Sequence, residues 1–516
     1  MSKKVNLDAF IVREDFEAID NQNPGKPKAD ISIEDIKPDS FFFPQVRKPD
    51  FQRETNEWDI EKITSFIESF INGDLIPAVI LWRSPAGYLF VIDGSHRLSS
   101  LSAWINDDYG DGDISKNFYD GIIPDEQIEI AGRTRKTVNT KIGSYKDFKL
   151  ALTHPEKVEP EIVKKAKNLG ALAIQLQWVE GNAEKAEDSF FKINQQAAPI
   201  NKTELRLLMN RNKPNSIAAR AIIRSGKGHK YWSAFPEENQ SKIQEIAKEI
   251  NEILFQPSLK TPIKTLDIPI AGKLSSAQSL ALILDFVNIA NKNTDTSGLL
   301  DDNIGADTIS FLINSRKLAR IINSSHPSSF GLHPIIYFYS RDGRHKTASF
   351  YAVLDFILKL NSSEKISKFI DVRGQFENII LKYDYVIQQI NRRYRSAQNS
   401  FTHISNFFIR VINILHEGKT IEDCMTQIIK EEHYKYLTLQ QEEKVETSSG
   451  KFSSNKKSAI YIKDVIDNAP KCKICNGLIH LNSVSIDHIQ RKSEGGKGIV
   501  DNGQITHPYC NTTFKQ

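Results

Sequence analysis

Hydrophobic and polar positions follow two different periods along this chain, and the change of period divides it. Residues 1–30 carry neither: the polar stretch NQNPGKPKAD predicts an irregular lead-in. From 31 to 210, short β-like runs alternate with amphipathic helical stretches. AVILW (78–82) and YLFVID (88–93) read as strands joined by a turn at RSPAG. In WDIEKITSFIESFING, Ile60, Ile63, Ile67 and Phe70 fall on one helical face, and Gly73 ends the helix. From 211 to 439 the helical period dominates, as in SFYAVLDFILKL and FFIRVINILHEG. Residues 440–458, QQEEKVETSSGKFSSNKKS, hold no large apolar cluster and read as a linker. A compact module is expected over 459–516. Within it SVSIDHI predicts a strand, EGGKG a flexible loop, and NTTFKQ the start of a short helix. The fold class this implies is α+β.

Composition narrows the picture only in places. A chain of 516 residues is too long for one core and suggests about three domains. No run of eighteen apolar residues occurs, so no membrane span is expected. The start MSKKVNLDAFIVRED has no apolar run behind its lysines and does not read as a signal peptide, which predicts a cytoplasmic protein. The net charge of +4 is too mild to argue for a nucleic-acid partner. The tail is more basic, with Lys451, Lys456, Lys457, Lys463, Lys471, Lys473, Arg491, Lys492 and Lys497. That asymmetry fits a module that meets phosphates, and it equally fits solvated lysine-rich surface.

Three of the four cysteines lie in the last 45 residues. In a reducing compartment such a cluster points to metal rather than to disulfides. Cys472 and Cys475 form a C-x2-C knuckle; His507 and Cys510 form an H-x2-C knuckle after a 31-residue gap. Two such pairs match closed, tetrahedral, structural zinc. Cys424 sits in a helical stretch and is expected to be a small buried side chain. Beside the knuckles stand Asp487, His488, Asn502 and Asn511. In this order the segment resembles the HNH endonucleases, the ββα-metal nuclease family. The resemblance implies that His488 is the general base that deprotonates water. It implies that Asp487 and Asn511 hold a catalytic magnesium or manganese ion, and that Asn502 orients His488 by a hydrogen bond. Arg491 and Lys492 would grip flanking phosphates. The segment departs from the family at His507, where many relatives carry cysteine, so a catalytic role for His507 stays open. It departs again at Asn511, where other members use histidine. A zinc ribbon that binds DNA without cutting it is the plainer alternative.

Near the front, VIDGSHRLSSL predicts a strand, a tight turn at Asp93-Gly94, an N-cap at Ser95 and then a helix. That places His96 and Arg97 in the first turn, where backbone amides favour an anion. A local ion pair between Asp93 and Arg97, with His96 packed, is the bland reading. Gln52, Arg53 and Trp58, the run Ile76-Pro77-Ala78-Val79-Ile80-Leu81, the DGSHR turn, and Phe190, Asn194, Glu204 and Leu205 together resemble a ParB/sulfiredoxin-like domain. It is the kind found at the front of GmrSD-type modification-dependent restriction enzymes and of the SspE-type nuclease. The resemblance covers about 35–210. It implies a nucleoside triphosphate pocket lined by Gln52, Arg53, Asp93, Gly94, His96 and Arg97. Ser95-His96 replaces the usual pair of glutamines, which puts hydrolysis and base preference in doubt. No P-loop pattern occurs.

The middle offers YFYSRDGRHKTASF (337–350) and INRRYRSAQNS (390–400). Arginines beside tyrosines suit nucleic-acid contacts, and they also suit a solvated helix face. The whole predicts a ParB/sulfiredoxin-like N-terminal domain, a helical scaffold and a zinc-stapled HNH tail. The function expected is a DNA endonuclease of antiviral defence or modification-dependent restriction, regulated by its front domain. The partners expected are DNA, including modified phage DNA, and a nucleotide, with a homo-oligomer left open. Two other readings stand beside it: a ParB-like DNA-binding protein with a non-catalytic zinc fold, and an NTPase with a DNA-anchoring tail.

Overall fold

In a computed structural model of the chain, the described residues are 4–14, 27–49, 55, 58–118, 123, 125–197, 210, 212–226, 232, 235–274, 277–293, 298–440 and 452–514. Contacts divide the chain into two compact units, 1–211 with 229–231, and 212–228 with 232–516. Among the described residues, no helix is long and apolar enough to cross a membrane.

The first unit is built on a six-stranded mixed sheet: β1 (Arg13–Glu14), β2 (Asp30–Ser32), β3 (Val46–Pro49), β4 (Val79–Arg83), β5 (Leu89–Asp93) and β6 (Ala173–Val179). Their order is β1-β3-β5-β4-β6-β2. β4 and β5 form the hairpin expected at RSPAG, pairing Trp82 with Phe90 and Arg83 with Leu89. β5 lies inside the sheet, so Leu89, Phe90, Val91 and Ile92 are all buried. Their alternation feeds two cores: Leu89 and Val91 join Leu81, Ile63 and Ile67, while Phe90 and Ile92 join Trp82 and Phe190. The helix Ile60–Asn72 follows the predicted face and adds Ile71 to it. Asp59 caps it by accepting from the Lys62 amide at 3.0 Å, and Gly73 closes it at φ 75°.

The second unit is helical up to its last segment. The helices Thr347–Lys359, Ser363–Lys382 and Ala397–His416 pack around Phe356, Phe369, Phe376 and Phe408, whose rings meet at centroid distances of 5.4–6.0 Å. Cys424 is fully buried, and burial pushes its thiol up to about 12. Part of the polar stretch 440–458 is ordered as helix: Ser454–Ile466 begins inside it, and Ser453 Oγ accepts from the Lys456 amide. The Ile263 amide donates to Ser458 Oγ at 2.9 Å, which fastens this helix to the helical scaffold. Serine read as linker composition here because its capping role depends on which residue follows by three. Residues 441–451 lie outside the described residues.

The C-terminal segment forms an antiparallel hairpin, β7 (Ser485–His488) and β8 (Gly503–Thr506), followed by a π-helical turn at Cys510–Phe514. This is the small α+β tail that the sequence predicted. Its own apolar core is small, the situation in which a metal or similar staple supplements burial in small folds.

Candidate functional site

The two knuckles converge. One ligand atom from each of Cys472, Cys475, His507 and Cys510 lies within 4.8 Å of all the others, and all four residues are buried. The pairs meet because Cys472 and Cys475 share a tight turn, in which the Cys472 amide donates to the Gly477 carbonyl and the Asn476 amide to the Cys472 carbonyl. His507 and Cys510 follow directly after the end of β8. His507 Nδ1 faces Cys475 Sγ at 3.2 Å, and its Nε2 lies 3.0 Å from the Leu478 carbonyl. A ligating imidazole fixed by its second nitrogen on a carbonyl is what a structural zinc site requires. Without a cation the thiols compete for charge. Hydrogen bonds from Cys475 and Cys510 pull the Cys472 thiol far down, and the bonds to Cys472 and Cys475 push Cys510 far up. A dication would let all three ionise together, so the donor set fits zinc. His507 is fully buried among these sulfurs and does not line the cleft described below.

The scaffold reaches into this cluster. Arg373, on the helix Ser363–Lys382, is fully buried. It donates to the Phe330 and Gly331 carbonyls, to Glu377 Oε1 at 2.7 Å, and comes within 3.2 Å of His507 Nδ1. Burial works against its charge, and the Glu377 carboxylate with the Cys475 sulfur outweighs that cost and holds it protonated. Glu377 in turn accepts from the Tyr337 hydroxyl at 2.9 Å and from the Leu478 amide at 3.1 Å. Glycine is obligatory at 477, where a Cβ would stand 2.3 Å from Arg373 Nε. At Gly331, with φ 60°, a Cβ would stand 2.3 Å from the His507 ring. Neither Arg373 nor Glu377 was visible as a site residue, because both lie about a hundred positions upstream of the knuckles.

β7 carries Asp487 and His488 to the rim of a cleft of about 440 Å³. Asp487, His488, Asn502 and Gln504 line it, with Ile499 and Val500 as its apolar wall. Asp487 is buried, and the Gln504 side chain opposite it in register donates to Oδ2 at 2.7 Å. Gln504 was missed; the hairpin register, had it been drawn, pairs it with Asp487. Asn511 Nδ2 donates to Ser485 Oγ at 2.7 Å and to the Ile486 carbonyl at 3.2 Å. Ser485 and Asp487 share one face of β7, so these bonds hold Asn511 to that face. Asn511 does not itself line the cleft.

Asn502 differs from expectation. Its Oδ1 accepts from the Gln490 amide at 2.7 Å, and its Nδ2 donates to the Gln490 carbonyl and, at 2.9 Å, to the Lys497 carbonyl. Both amide atoms are therefore committed to the loop after β7. These bonds brace the backbone that follows His488, and none of them goes to the His488 ring. Arg491 and Lys492 are exposed on the same loop.

At the front of the chain, β5 ends at Asp93 and the helix Ser95–Asn106 starts immediately. The N-cap is Gly94, one residue earlier than expected at Ser95. The turn needs φ 107°, and a Cβ there would meet Val79 Cγ2 at 2.8 Å, so only glycine fits. Arg97 Nη2 donates to Asp93 Oδ2 at 2.7 Å and to the Ala78 carbonyl at 3.1 Å, while its Nε is buried with no hydrogen-bond partner among the described residues. His96 stacks on Trp58, centroids 5.4 Å apart. The ion pair and the packed histidine of the bland reading are thus both present. Phe190 is core. Gln52, Arg53, Glu204 and Leu205, and the side chain of Asn194, lie outside the described residues.

Comparison with known families agrees with both ends. Residues 33–211 match the family model of the GmrSD restriction endonuclease, N-terminal domain. Residues 472–515 match that of the HNH endonuclease. No curated protein and no solved structure matches the chain.

Proposed function

From a front similar to the GmrSD N-terminal domain and a tail similar to HNH endonucleases, we propose that this chain is a divalent-cation-dependent DNA endonuclease of restriction type. The observation that carries the reading is the placement of Asp487 and His488 on one cleft rim, on a hairpin stapled by the cysteine–histidine cluster. A magnesium or manganese ion held by Asp487 and Asn511 would supply positive charge at the scissile phosphate. His488 takes the proton from the attacking water through a neutral imidazole nitrogen. Gln504 fixes the Asp487 carboxylate, and Asn502 fixes the loop that carries Arg491 and Lys492 toward flanking phosphates. Zinc, held by Cys472, Cys475, His507 and Cys510, is structural in this reading.

The front domain would regulate cutting by sensing a nucleoside triphosphate or modified phage DNA in the cytoplasm. Asp93, Gly94, His96 and Arg97 stand at a helix N-terminus suited to a phosphate; a part for Gln52 and Arg53 rests on the family resemblance alone. The test is cleavage of modified and unmodified phage DNA with magnesium or manganese and each NTP in turn. Cutting that depends on His488 and on one DNA or one nucleotide is expected. Equal cutting in every condition removes the regulatory reading, and no cutting with any metal leaves a DNA-binding zinc fold.

A further inference from the structure

The two arginine–tyrosine stretches of the middle region meet in space. Ser340, Arg341 and Asp342 from the first, and Arg392 and Arg393 at the end of the helix Asp384–Tyr394 from the second, border a cleft of about 550 Å³. The third wall is Tyr436–Gln440. That volume is within the usual range for small-molecule sites, roughly 300–1,000 Å³. Among the described residues its lining consists of charged and polar side chains with the Tyr385 and Tyr436 rings, so the apolar surface it offers is chiefly flat aromatic face.

Its polar groups are organised. Asp384 is paired with Lys346, and Asp342 with Arg344 at 3.3 Å. Among the described residues, Arg341, Arg392 and Arg393 carry the surplus positive charge of the lining. Arg341 is anchored by donating to the Leu381 carbonyl. The Arg393 guanidinium lies over the Tyr436 ring, 5.5 Å from its centroid, which makes a flat cationic platform. Gln388 Nε2 donates to Asp384 Oδ2 at 2.9 Å, which leaves its amide oxygen as an acceptor. Gln389 both accepts from and donates to the Thr438 backbone, which fixes the far wall.

A surface for stacking, a fixed acceptor for an exocyclic amine and unmatched guanidiniums match one chemistry. We propose that this cleft binds a nucleotide unit, an aromatic base together with its phosphate, presented by a single strand or as a free nucleotide. The inference stands apart from the nuclease reading, because binding is measured with calcium in place of magnesium and cutting is not the readout. The full chain is titrated into a fluorescent single-stranded oligonucleotide and, separately, into fluorescent ATP and GTP, followed by anisotropy. Whichever probe binds identifies the source. The double variant Arg392→Ala/Arg393→Ala should weaken that probe about tenfold or more, and Tyr436→Leu should weaken it several-fold. All three side chains lie at the surface or half-buried, and an unchanged melting temperature shows that the fold is intact; Arg392→Lys/Arg393→Lys, which keeps charge and loses the platform, is the second arm. Unchanged affinity in both double variants overturns the proposal. So does a loss that follows charge alone, with Tyr436→Leu and Gln388→Leu binding as the parent does.

Discussion

The tail has two sides of opposite character. On the knuckle side His480, Ser483 and His507 are fully buried; His480 is tied to Asn323 and Ser483 to Ser329 of the scaffold, and the Arg373 guanidinium lies beside His507. On the cleft side Ile486 is 61 % exposed and Val500 93 % exposed, and the loop between the strands is held by Asn502 on backbone atoms. Burying an ion pair such as Arg373–Glu377 carries a heavy desolvation cost, and only full hydrogen bonding offsets it. Such an arrangement is tolerated where position must be fixed. The cleft opens to solvent along its apolar wall, and it is the side on which a polymer can be admitted. Fixing one face of a 45-residue motif lets the other remain open without unfolding.

The largest effect should come from the open side. His488→Ala is expected to lower the rate of plasmid cleavage about 10³-fold or more, with zinc content and melting temperature unchanged. A variant that loses zinc as well would mean the two sides are not separable. Next is the anchored side. Arg373→Met leaves the Glu377 carboxylate buried without its partner and should cost about 3–5 kcal/mol in denaturant unfolding. It should also hasten zinc release to a chromogenic chelator. A loss under about 1 kcal/mol would show that the buried pair is not what seats the module.

What could be read from the sequence follows the range of the interactions. The knuckles were legible because C-x2-C and H-x2-C constrain their own backbone, and the strand through SVSIDHI because its alternation is local; its partner Gly503–Thr506 was not read. The β4–β5 hairpin and the helix Ile60–Asn72 that Gly73 ends were legible for the same reason, down to Ile63, Ile67 and Phe70. Arg373 and Glu377 were not, since on their own helix they are merely an i,i+4 pair like many exposed ones. The role of Asn502 was misplaced by one contact: the residue was found, but its bonds go to Gln490 and Lys497, which only the closed loop brings near. Ser95 looked like the cap because serine is a good one; φ 107° at position 94 gave the place to glycine.

Asn502 offers a milder way to sharpen the contrast. Asn502→Ala removes three bonds to exposed loop backbone and leaves the zinc cluster alone. Cleavage should fall about tenfold, equivalent to about 1.4 kcal/mol, with no change in the Michaelis constant for a short duplex if the loop positions His488. Loss of zinc in this variant would break the division between the two sides.

The smallest effect is a pH dependence, and it locates stability on the anchored side. Burial pushes the His345 imidazole down to about 4, and burial likewise lowers His480, whose neighbours are Asp267 at 3.8 Å, the His333 ring and Asn323. An unfolded histidine takes up its proton near pH 6.5. Between about 6.5 and 4 the unfolded chain therefore binds more protons than the folded one, so stability is complete above that window and is lost as the pH falls through it. From pH 7 to 5.5 each of these histidines should withdraw about 1 kcal/mol. Denaturant melts at the two values measure the summed effect of these and of His333, which burial lowers in the same direction, and His480→Gln should flatten the slope by its own share whatever it does to the absolute stability. A slope that His480→Gln leaves untouched would place the acid sensitivity away from the docked face, and the knuckle side would then be fixed by Arg373 and the metal ligands alone.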